Sequence, residues 1–129
     1  MVRNYDPDIA PDPTAWLALA EQERIRLCEA HHRAARVRLP NVKAHAIFHA
    51  IVENQLAEGL ASVIRAMARL RNEGLSRHDA LHAIGSVLVE HLSEMAKLKT
   101  NDDTNTNQTR YDAAVERISA KEWRGRFGV

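Results

Sequence analysis

Apolar residues recur at three- and four-residue intervals along most of the chain, and strict alternation is found nowhere, so the pattern predicts helices and no strands. Residues 1–12 are the exception. Asp6-Pro7-Asp8 and Pro11-Asp12-Pro13 disfavour helix before each proline, which leaves an extended lead-in with Tyr5 and Ile9 to lay on a core. Asp12-Pro13 then has the form of a helix start, with Asp as cap and Pro in the first helical position. A short helix bearing Trp16, Leu17 and Leu19 follows. A second, over 21–36, turns Ile25, Cys28 and His32 to one face, with Leu27 beside them.

Leu39-Pro40-Asn41 closes that helix and caps a third over 42–57, which Gly59 breaks. A fourth over 60–72 carries Val63, Ile64, Met67 and Leu70 as its apolar stripe, and Gly74 stops it. Ser76, with Asp79 three positions on, caps a fifth helix over 77–97. Residues 100–110 contain no large apolar side chain and read as a polar loop. Thr109 and Asp112 read as the cap of a last helix over 110–123, with Tyr111, Val115 and Ile118 inward, and residues 123–129 read as a docking or partly ordered end. The sum is an all-α fold, a single-domain bundle of five or six helices spanning 1–129.

Two of these helices carry histidines where apolar side chains are expected. At about 100° per residue, His45, His49, Val52 and Leu56 fall on one stripe of the third helix, widened by Ile47, Phe48 and Ile51. His78, His82, Gly85, Val89 and Leu92 do the same on the fifth, with Leu81, Ile84 and Leu88 beside them. A buried imidazole without a hydrogen-bond partner or a metal costs kilocalories. Two inward pairs on two helices therefore point to a shared polar site. Histidines at i and i+4 present their rings side by side and can ligate one ion together. Glu53, one turn after His49, offers an oxygen as ligand or as acceptor for a ring N–H. The candidate metal set is thus His45, His49, His78, His82 and Glu53. Nitrogen with carboxylate suits zinc, iron, manganese or nickel. The competing reading is a buried hydrogen-bond network of the same histidines in a non-catalytic interaction or oligomerisation module.

Composition narrows the field. The chain is 45% hydrophobic and 27% charged with a net charge of +1, ordinary for a globular domain and without the basic excess that draws nucleic acid or an anionic membrane. No apolar run approaches the length of a membrane span, no signal peptide is seen, and the single cysteine, Cys28, excludes an internal disulfide. A cytoplasmic protein without nucleic-acid or membrane partners is expected, with a protein partner or a homo-oligomer left open. Cys28 reads as core. Arg124 and Arg126 between Trp123 and Phe127 read as a solvated tail over a phosphate site. No glycine-rich phosphate loop and no Gly-x-Ser-x-Gly elbow is present.

His78-Asp79 is similar to the doublet of the HD metal-dependent phosphohydrolases, which add an earlier His and a later Asp. Here His45 or His49 would be the earlier ligand, but no later Asp stands convincingly on a helix, since Asp102 and Asp103 fall in the polar loop, and Asp79 already serves as a cap partner. A broader resemblance rests on His45-x3-His49-x3-Glu53-Asn54-Gln55, on Arg65 and Arg69-Leu70, and on Gly74-Leu75-x-Arg77-His78-x-Ala80-x-His82-Ala83-Ile84-Gly85. Over about residues 40–95 the chain resembles a family of short bacterial proteins known as a domain of unknown function. That resemblance implies a helical domain with the same four histidines, and no activity.

Overall fold

The structure, a computed structural model, describes residues 4–34, 42–98 and 104–127. Among them there is no strand. Seven helices follow in order: α1 (Pro13–Ala18), α2 (Glu21–Ala34), α3 (Val42–Ala57), α4 (Ala61–Asn72), α5 (Arg77–Leu98), α6 (Thr104–Arg117) and α7 (Ala120–Phe127). The all-α expectation holds, while the helix number exceeds the expected five or six. No helix among the described residues is long and apolar enough to cross a membrane. The expected Leu39-Pro40-Asn41 stop lies outside the described residues, as do residues 100–103.

The chain forms two compact units, Met1–Leu60 and Ala61–Val129. In the first, α1 and α2 each pack on α3. The core joins Tyr5, Trp16, Leu27 and Cys28 to Ala46 and Ala50, whose small side chains let the facing helices approach. Ile9, expected on the core, is 66% exposed. It follows the turn in which its amide meets the Asp6 carbonyl at 2.9 Å, and that turn sends it outward. Asp12 caps α1 as its type and the following proline require, accepting the Ala15 amide at 2.9 Å. A polar hub fastens the three helices. Asn54 Oδ1 accepts the Trp16 indole N–H at 2.9 Å and an Arg24 guanidinium N–H at 3.0 Å, and Arg24 also donates to the Leu17 and Leu19 carbonyls at the end of α1. Gly59, at φ +80, ends α3 in a left-handed turn, its amide on Leu56 and that of Leu60 on Gln55.

In the second unit α4 packs on α5 and α6, and α5 on α6 and α7. Ser76 caps α5, its Oγ accepting the Asp79 amide at 3.1 Å. The buried face of α4 is Ser62, Val63, Ala66 and Leu70, not the stripe with Ile64 and Met67 that hydrophobicity suggested; Ile64 is exposed. The small Ser62 and Ala66 go inward because Ser62 Oγ bonds Asp112 of α6 at 2.8 Å, while Arg65 on the outer side pairs with Glu116. On α5 the buried row is Ala80, Leu81, Ala83, Ile84, Val87 and Leu88, and the far end of the histidine stripe, Val89 and Leu92, is exposed.

The expected single last helix is two. Arg69 donates to the Val115 and Ile118 carbonyls, both at 2.9 Å, and so takes up backbone acceptors that a continuous helix would use. Glu73 accepts the Ala120 amide at 2.7 Å, and Ser119 caps α7 by accepting the Glu122 amide at 3.0 Å. α6 also begins six residues before the expected 110, so residues 104–110 are helix and not loop. Thr106, Gln108, Thr109 and Arg110 are exposed on a helix anchored further on by buried Tyr111 and Val115, with Gln108 bonded to Asp112 one turn away at 2.9 Å. Trp123, expected in a tail, is 5% exposed on α7.

Candidate metal centre

α3 sets His45 and His49 one turn apart, with ring centroids 5.9 Å apart and planes at 81°. His49 is buried and His45 partly buried. The edge of one aromatic ring meets the face of another where Tyr5 packs against His49, at 5.6 Å and 89°. Tyr5 also packs against Trp16 at 5.4 Å and His31 at 6.3 Å, so the lead-in carries the residue that organises the inner end of this site. Its hydroxyl donates to the carboxylate of Glu53, which is 1% exposed. A carboxylate buried so deeply needs such donors. Glu53 in turn acts on Cys28. Burial first, and then this neighbouring carboxylate, push the fully buried Cys28 thiol well above its ordinary range, which suits the core role expected of it.

α5 sets His78 and His82 closer, with centroids at 4.3 Å and planes at 61°, both partly buried. Asp79 stands in the first turn of α5, where its carboxylate favours the helix dipole. The remaining histidines play other parts: His31 packs on Tyr5, and His91 lies 5.7 Å from the Tyr111 ring. The His32 side chain lies outside what the structure describes.

Within the first unit, His45 and His49 offer two imidazoles one turn apart on α3, with Glu53 a further turn on. Two such rings meet the first requirement of a nitrogen-ligated divalent ion, whose Zn–N bonds are about 2.0–2.1 Å. Within the second unit, His78 and His82 offer a second pair on α5. Asp102 and Asp103, considered above for the phosphohydrolase pattern, lie outside the described residues.

Sequence reasoning missed Tyr5 as a partner of Glu53 and Asn54 as the acceptor for Trp16. Both lie 38 residues or more along the chain from their partners, where periodicity carries no signal. The split after α6 did have a signal, the Ser119-x-x-Glu122 capping pattern. No known protein family matches the chain, and no curated protein or solved structure matches it.

Proposed function

We propose that this chain binds a divalent metal ion through the imidazoles of His45 and His49 on α3, with Glu53 one turn on as a further ligand or as acceptor for a ring N–H. His78 and His82 are a second candidate pair, on α5. The observation that carries the reading is the pair of imidazoles one turn apart, ring centroids 5.9 Å apart, with His49 buried. Nitrogen with carboxylate and no thiolate suits zinc, iron, manganese or nickel. An ion held there with an open position would supply a Lewis acid able to lower the pKa of a bound water. The Tyr5 hydroxyl, by donating to Glu53, holds that carboxylate in place one turn from His49.

Elemental analysis of protein purified without a histidine tag tests this. The expected result is close to one ion per chain in the parent, lost in His49→Ala and on dialysis against chelator. A parent free of metal that takes up none of the four ions, with His49→Ala merely less stable, would overturn the reading. The histidines would then be the buried network of an interaction module.

A further inference from the structure

Between α5 and α6, within the second unit, lies an open cavity of about 350 Å³. Its size is at the lower end of small-molecule sites. The hollow exists because α6 presents Ala113 and Ala114 where larger side chains would fill the space, and Val87 and Met95 extend the apolar lining from α5. The walls differ by helix. Glu90 and Glu94, one turn apart on α5, give two carboxylates, and Arg110 and Arg117, two turns apart on α6, give two guanidinia. The four formal charges cancel, so neither a polyanion nor a polycation is favoured there. Opposite charges meeting across a helix pair usually neutralise one another. Here, among the described residues, Glu94 and Arg117 form no ion pair or hydrogen bond through their side chains, although both border the cavity.

We propose that this cavity binds a small zwitterion with an apolar side chain, a free amino acid or a short peptide. The ligand's ammonium lies toward Glu90 and Glu94, its carboxylate toward the arginines, and its side chain on the alanine floor. Guanidinium matches a carboxylate with two parallel N–H donors, which makes arginine the better residue for that wall than lysine. His91 also borders the cavity, but none of the candidate metal ligands does, so the site does not depend on the metal reading.

Titration of the isotope-labelled full chain, followed by amide chemical shifts, tests it with leucine and leucyl-leucine as probes. N-acetyl-leucine and leucinamide each lack one of the two charges. The expected result is saturable shifts confined to α5 and α6 for leucine or its dipeptide, weakened about tenfold when either charge is capped, as loss of one charge-assisted contact implies. Whichever of leucine and the dipeptide binds more tightly gives the length of the ligand. Arg117→Gln should abolish the preference for a free carboxylate, and Glu94→Gln that for a free amine. Both are exposed positions, and an unchanged circular dichroism spectrum and melting temperature confirm that the variants fold. No saturable shift at millimolar probe, or equal shifts from free and capped leucine, would overturn the proposal and leave the four charges as solvated helix surface.

Discussion

Asn54 offers the sharpest test of how the first unit is held together. Replacing it by Ala removes the acceptor of the Trp16 indole, a side chain with no exposure, and one of the acceptors of Arg24. A buried N–H left without an acceptor costs about 1–3 kcal/mol. Arg24 keeps the Leu17 and Leu19 carbonyls, so its loss is nearer 1 kcal/mol or less. The total is about 1–4 kcal/mol. With a urea dependence of about 1.5 kcal/mol per molar, that lowers the midpoint by roughly 0.7–2.7 M. The chain has two tryptophans, one in each unit, so a Trp123→Phe background leaves Trp16 as a fluorescent reporter of the first unit alone. Asn54→Asp keeps an acceptor for both donors and should retain most of the lost stability. If Ala and Asp lose equally, or if Ala costs less than about 0.5 kcal/mol, the hub is not what fastens α1 and α2 to α3.

Arg69→Ala should destabilise the second unit by about 2–3 kcal/mol in urea denaturation, because it strips the Val115 and Ile118 carbonyls of a charged donor. Arg69→Lys should recover less than half, since one ammonium cannot reproduce the planar fork that spans both; full recovery would refute this. Gly74→Ala should cost about 1 kcal/mol or more in thermal melting, because φ +103 disfavours any Cβ; an unchanged melting temperature would show that the turn relaxes freely. Stability should also fall on the alkaline side. The Cys28 thiol is raised in the folded chain, so above the unfolded pKa of about 8.5 the unfolded chain loses a proton that the folded one keeps. The thiol's contribution is whole below that pH and drains above it by about 1.4 kcal/mol per unit, until the folded pKa is reached. Cys28→Ala should lack this part of the slope between pH 8 and 10, and identical slopes would refute the assignment.

Much of the local structure was legible in the sequence because its causes are local. The Asp12-Pro13 start, the glycine stops at Gly59 and Gly74, and the Ser76 cap each act through neighbouring atoms, and the structure uses all four. Periodicity placed α3 at 42–57 and α5 from residue 77, and it put His45 with His49 and His78 with His82 on their stripes. It also turned His49 inward correctly. What periodicity cannot carry is which part of an apolar arc is covered. Ile64, Val89 and Leu92 belong to helical stripes by spacing and yet lie exposed, while Ser62 and Ala66 are buried, because partners distant in sequence decide which side of a helix loses its water.

The same division runs through the candidate site. That histidines occur in two i, i+4 pairs is a property of the chain and follows from helical geometry alone. What surrounds them is a property of tertiary structure: Tyr5, far off in sequence, packs on the ring of His49 and donates to the carboxylate of Glu53. The break between α6 and α7 is decided in the same way. Residues 118 and 119 contain no proline or glycine to force it. A side chain from α4 satisfies the carbonyls on one side of the break and another accepts the amide on its far side. The sequence by itself determined the helices, their caps and the chemistry available on each face. Tertiary structure alone decided which faces are buried, where the last helix divides and which polar groups meet, because burial and long-range hydrogen bonds depend on distances that no local spacing records.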